Sequence, residues 1–143
     1  MDLFCRTLAH EAPDAIIFAD VGGMIRFWNR GAERVFRYPA AEALGKSLDI
    51  IIPTELRPRH WKAYADTMRT GETRYGAGEV LAVPGMRKDG STVPIEFTLL
   101  PFHDRVGHVL GVAAILRDAS KHAAEMEALR SELTTARKAG PGG

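Results

Sequence analysis

The sequence is poor in what would build a stapled, metal-clustered or membrane-spanning protein. One cysteine, Cys5, stands among 143 residues. That excludes an internal disulfide framework and fits a reducing compartment, so a cytoplasmic location is expected. No Cys/His spacing of the zinc type occurs, and no internal repeat. No apolar run approaches the roughly 18 to 20 residues of a membrane span. The segment Met1 to Arg6 has neither the basic region nor the apolar core of a signal peptide. Charge of one sign is also lacking. Nineteen Lys and Arg against 18 Asp and Glu leave +1, which gives no footing for nucleic acid or an anionic membrane.

What is present is an ordinary globular chain. Apolar content is 45%, and the length suffices for one domain with one core. Asp2 to Glu11 reads as a short helix with Leu3, Phe4 and Leu8 on a partial stripe. Ala15 to Ala19 reads as a first strand, Asp20-Val21-Gly22-Gly23 as a hairpin turn, and Met24 to Trp28 as a second strand. Asn29 is a good N-cap for a helix Arg30 to Phe36, and Ala40 to Leu44 adds a helical turn. Glu79 to Val83 is expected as a third strand, with Pro84-Gly85 marking its end or a bulge. Arg87-Lys88-Asp89-Gly90-Ser91 holds an Asp-Gly turn. Thr92 to Leu100 alternates with period two and reads as a fourth strand. His108 to Arg117 is a nearly all-apolar fifth strand. Lys121 to about Ala139 forms a last helix whose Met126, Leu129, Leu133 and Ala136 make a narrow seam, like that of a coiled coil.

The chain is organised around Pro53 to Glu72. Pro58 suits a first helical position and Gly71 supplies the stop. Trp61, Tyr64 and Met68 fall at helical spacing and give the helix an inward face. His60 lies in the first turn beside that stripe. The positive end of a helix disfavours imidazolium, and neutral imidazole is a good iron ligand. The residues themselves also permit a solvated histidine between Arg57 and Arg59. Plain core packing is the first reading for Trp28, Phe36 and Phe97.

Two strands, several short helices, three strands and a final helix, with these turns, resemble a PAS domain over about Leu8 to Ser120. The matching pieces are Ala12-Pro13-Asp14-Ala15-Ile16, Asp20 to Asn29, Arg87 to Ser91, and Ile115-Leu116-Arg117-Asp118-Ala119-Ser120. The implied fold is α+β: a five-stranded antiparallel sheet with short helices on one face and a flanking helix at each end. The implied organisation is a flanking helix over 1–12, a PAS sensor domain over 13–118, a signalling or dimerisation helix over 119–139, and a disordered tail over 140–143.

Within that family, Ile51-Ile52-Pro53 through Leu56-Arg57-Pro58-Arg59-His60 is similar to the haem-binding PAS oxygen sensors of a rhizobial histidine kinase and a bacterial cyclic-dinucleotide phosphodiesterase. The resemblance implies His60 as the proximal ligand of a haem b iron. Tyr64 would stand beside it, Arg69 and Arg74 would pair with the propionates, and Leu81, Phe97, Leu99 and Ile115 would form an apolar distal wall. Those sensors carry a distal arginine, and one of them a methionine ligand. Counting back from Asp89-Gly90, Leu81 and Glu79 occupy those places, and no arginine or methionine lies between Tyr75 and Gly85. The resemblance therefore implies a sensor of a diatomic gas (CO, NO or O2) or of redox state. It would signal through the last helix as a homodimer held by the flanking helices, to an output partner protein or an effector domain outside this chain. No catalytic constellation is evident. The competing readings are a haem-free interaction module and, more weakly, a haem enzyme of peroxidase type. The Asn-Cys-Arg-Phe string of flavin-binding light sensors is absent.

Overall fold

The computed structural model describes residues 2–73 and 80–138. Strands β1 (Ala15–Asp20), β2 (Ile25–Trp28), β3 (Leu81–Met86), β4 (Thr92–His103) and β5 (Val109–Asp118) make one antiparallel sheet in the order β2-β1-β5-β4-β3. Helix α1 (Asp2–Glu11) precedes it. Helices α2 (Arg30–Phe36), α3 (Ala40–Ala43) and α4 (Arg57–Thr70), with 3₁₀ turns at Leu48–Ile51 and Thr54–Leu56, form the crossover between β2 and β3. Helix α5 (Ser120–Lys138) follows β5. The α+β architecture expected from the sequence is the one observed. No helix among the described residues is long and apolar enough to cross a membrane.

Register decides which side chains share a face, because directly opposed residues point the same way and neighbours along a strand alternate. Ile17 stands opposite Trp28 in β2 and Ala114 in β5. Ala114 stands opposite Leu99, and Leu116 opposite Phe97. Phe97 in turn faces Leu81. This is the face the crossover helices cover. Ala15, Ile17, Ile25, Trp28, Ala32, Phe36, Val93 and Ile95 form the sealed part of its core.

Asn29 ties that core to the N-terminal part of the chain. Its Oδ1 caps α2 by accepting from Ala32 N at 2.9 Å and also accepts from Ile16 N at 2.8 Å. Its amide donates to Ala9 O at 2.9 Å and Asp14 O at 3.0 Å, so α1 is anchored by the same side chain. Asn29 is 1% exposed. A buried amide survives there because both its acceptor and donor sides are used.

Strand β3 differs from the expectation. It begins at Leu81 and runs on through Pro84 and Gly85 to Met86. Pro84 is tolerated because β3 is an edge strand, and it stands opposite Pro94. Gly85 continues the strand because its missing Cβ leaves room for Ile95 and Phe36, whose atoms would lie 2.9 and 3.1 Å from one. Strand β4 also passes Leu100 and Pro101 to reach His103. The expected start of β3 at Glu79, the residue Arg74 and the tail 140–143 lie outside the described residues.

Candidate functional site

The central helix begins and ends as its sequence directs. Pro58 lies in the first turn of α4, and Gly71 stops it with φ +76°. The approach is a 3₁₀ turn opened by Ser47, whose side chain accepts from Asp49 N at 3.1 Å. Arg57 clamps this turn from the far side. Its Nε donates to Ile52 O at 3.1 Å and its Nη2 to Asp49 O at 3.2 Å.

Trp61 and Tyr64 fasten α4 to the rest of the domain. Trp61 Nε1 donates to Asp49 Oδ1 at 2.7 Å. Its ring lies over Gly23, where an added Cβ would come within 2.2 Å of the indole. Tyr64 donates its hydroxyl to the backbone carbonyls of Asp20 and Ala19 at the end of β1. Burial and the neighbouring Asp20 push this phenol up to about 12. Past the C-terminus of α4, the His103 ring meets Gly71 O at 2.8 Å.

His60 sits inside this frame. Its imidazole packs edge-on to Trp61 at 4.7 Å and 75°, and is tilted against Tyr64 at 5.8 Å. Its Nδ1 is buried and has no hydrogen-bond partner among the described residues. Burial pulls the ring's pKa below its ordinary value, while the Asp49 charge acts in the opposite direction. The side chain is therefore a neutral imidazole presenting a buried, unpartnered nitrogen. An unpaired buried polar group costs about 1 to 3 kcal/mol, so its presence calls for a reason.

Leu81, Phe97 and Leu99 are brought together. Leu81 and Phe97 are direct partners, and Leu99 lies two residues along β4 on the same face. All three are only half-buried, unlike Val93 and Ile95 on β4. The covered face thus carries sealed positions and half-buried ones.

Ile115 is a correction. It pairs with Thr98 and Ile16, so it projects from the opposite face of the sheet, where it is 43% exposed. Leu116 takes the inward place beside Phe97. Arg69 is placed on the solvent side of α4, 73% exposed and 3.5 Å from Asp66 one turn back. Sequence reading missed Asp49, the only charged residue in Leu48-Asp49-Ile50-Ile51-Ile52. That isolation inside an apolar run was the available signal.

The donor set limits the metal chemistry. Among the described residues no group of three or more His, Cys, Asp or Glu is placed to hold a metal ion. A bare cation bound by protein side chains therefore lacks ligands. A prosthetic group that supplies most of its own ligands needs only one imidazole from the protein. The buried, unpartnered nitrogen of His60 fits that need.

A five-stranded antiparallel sheet whose crossover helices cover one face, with a flanking helix at each end, defines a sensor-type α+β module. The PAS fold family matches residues 9–124, and the chain belongs to it. The chain is 31% identical over 131 residues to the sensor protein FixL of Bradyrhizobium diazoefficiens, covering 90% of this chain and 25% of FixL. It is 32% identical over 107 residues to the oxygen sensor protein DosP of Escherichia coli, covering 74% of this chain and 13% of DosP. The chain thus spans a quarter or less of these relatives. Among solved structures it is similar to the PAS domain of a protein from Colwellia psychrerythraea, with TM-score 0.72, 21% identity, and coverage of 85% of this chain and 99% of that one. It is also similar to an RNA-binding light-oxygen-voltage receptor, with TM-score 0.72, 22% identity, and coverage of 96% and 38%. These two likenesses are of fold alone.

Proposed function

We propose that this PAS domain binds haem b through His60 and senses a diatomic gas or the redox state of the iron. The observation that carries the reading is the buried, unpartnered Nδ1 of a neutral His60, in a domain whose covered sheet face also carries the half-buried Leu81, Phe97 and Leu99. The similarity to an oxygen sensor protein over 74% of the chain supports it. Haem supplies an iron position open to CO, NO or O2. The protein supplies the axial imidazole, the Trp61 and Tyr64 rings that hold it, and an apolar surface. Leu81, Phe97 and Leu99 offer bound O2 no hydrogen-bond donor, a contact commonly worth about 1.5 to 3 kcal/mol when charge-assisted. CO and NO depend less on such a donor and are the favoured ligands.

Output would pass through α5, with a second copy of the chain as partner. Helix α5 has no buried residue, and Met126, Leu129 and Leu133 along it are exposed. Leu3, Phe4 and Leu8 of α1 are exposed as well. The start of α5 is tied to the sheet by Ala119 N to Pro94 O at 2.8 Å and by His122 Nδ1 to Glu96 Oε1 at 2.5 Å. Apolar seams of this kind pair in coiled coils. The same observation favours the second reading, a haem-free dimerisation module.

The deciding experiment is the absorption spectrum of the haem-reconstituted protein, oxidised, reduced, and reduced with CO, alongside His60→Ala. A Soret band that shifts with CO and is lost in His60→Ala is the expected result. A protein that stays colourless in haem yet sediments as a dimer would place the function in the helices instead.

A further inference from the structure

Asp49 is held in a way its backbone role does not require. Its amide and carbonyl already serve the 3₁₀ turn through Ser47 and Arg57. Its carboxylate has a separate engagement: Oδ1 accepts from Trp61 Nε1 at 2.7 Å, and Arg57 Nε lies 3.8 Å from the same oxygen. The indole that binds the carboxylate is the ring that stands edge-on to His60 at 4.7 Å. The chain therefore keeps one anion in a fixed place relative to one imidazole, with a rigid aromatic between them. Arg57 partly offsets the anion but is itself bound to two backbone carbonyls.

We propose that Asp49 is a positioning and tuning residue for the iron on His60, biasing it toward the ferric state, while Arg57 moderates the bias. This rests on the haem reading above. A fixed negative charge near a metal centre stabilises the more positive oxidation state, and groups behind a ligating imidazole tune the metal through it. Trp61 fixes the distance, so the bias does not average out through side-chain motion. A domain tuned in this way holds its iron ferric under milder reductants and presents the CO- and NO-binding ferrous form only when reducing conditions deepen.

The test is a spectroelectrochemical titration of the haem-reconstituted protein, followed at the Soret band. It compares wild type with Asp49→Asn, Asp49→Glu and Arg57→Gln. Asp49→Asn keeps an acceptor for Trp61 but removes the charge. At the potential where wild type is half reduced, its ferrous-to-ferric ratio is expected to rise about three- to tenfold, as for one unit charge about 12 to 25 Å away at an effective dielectric of about 20. Asp49→Glu should return the ratio to within about twofold of wild type, and Arg57→Gln should lower it, since removing a cation acts in the opposite sense. A purely structural Asp49 would not give shifts of opposite sign at the two positions. A His60-dependent Soret band with an unchanged ratio in Asp49→Asn would overturn this proposal and leave the haem reading standing. If Asp49→Asn does not fold, an unchanged ratio in Arg57→Gln overturns it equally. Absence of a His60-dependent band in wild type would remove both.

Discussion

Two buried polar residues of the domain are built in on different terms. Asn29 has its donors and acceptors all engaged. His60 keeps a buried nitrogen without a partner among the described residues, in a domain whose Leu81, Phe97 and Leu99 stay half-buried while Ile17, Ile25, Val93 and Ile95 are sealed from solvent. Asn29 has spent its polar chemistry on holding the chain together. His60 holds chemistry in reserve and forgoes the stability that completing it would bring. On the proposed reading the contrast separates a polar residue kept for folding from one kept for a ligand, and it can be broken by swapping each for an apolar residue.

The largest effect is expected at Asn29. Asn29→Ala strands the N–H groups of Ile16 and Ala32 and the carbonyls of Ala9 and Asp14, which should cost about 3 to 5 kcal/mol in urea unfolding. It should also release α1, seen as faster amide exchange over Asp2–Glu11. His60→Leu in the haem-free protein removes a polar atom that nothing satisfies, so its stability should stay within about 1 kcal/mol of wild type or rise. Equal losses at the two positions would dissolve the distinction between the two residues.

A smaller effect tests which face is the ligand wall. Leu81→Arg puts a cationic donor opposite Phe97, and O2 affinity of the reduced haem protein should rise about tenfold, the worth of one charge-assisted hydrogen bond. CO affinity should change much less. Ile115→Arg, on the other face beside Thr98 and Ile16, should leave both affinities as they were. If Ile115→Arg acts like Leu81→Arg, the wall has been assigned to the wrong side of the sheet.

That second pair marks where sequence reading reached its limit. Strand β4 alternates cleanly, and its inward residues Val93, Ile95, Phe97 and Leu99 follow from period two alone. Strand β5 is apolar on both sides because it lies between β1 and β4 in the middle of the sheet. Its pattern therefore carries no face information, and Ile115 was set inward when only the register with Thr98 and Leu116's pairing with Phe97 could settle it. Asn29 was legible as a cap, since that role spans three residues. Its hold on Ile16 and Ala9 spans 13 and 20 residues and was not. The helix around His60 was legible from Pro58, Gly71 and the Trp61–Tyr64 spacing. Asp49 was not, because the indole that recruits it lies 12 residues away and only folding brings them together.

The smallest effect is also the most selective. Burial depresses the His60 pKa below its ordinary 6.5, with Asp49 only partly opposing. The unfolded chain therefore binds a proton near 6.5 that the folded chain still refuses. Between that value and the lower folded pKa the unfolded state holds more protons, so stability falls as pH falls. The contribution is complete above 6.5, is lost as pH drops through the depressed folded value, and changes no further below it. Asp20, Asp89, Asp104 and Asp118 are all held below their ordinary value. They stay charged in this window and add no slope. Urea unfolding of the haem-free protein from about pH 8 to about pH 5 should show a decline in wild type that is shallower in His60→Leu. Identical slopes would mean that the His60 ring is solvated when folded. Its unpartnered nitrogen would then be no reserve at all, and the contrast with Asn29 would be one of burial alone.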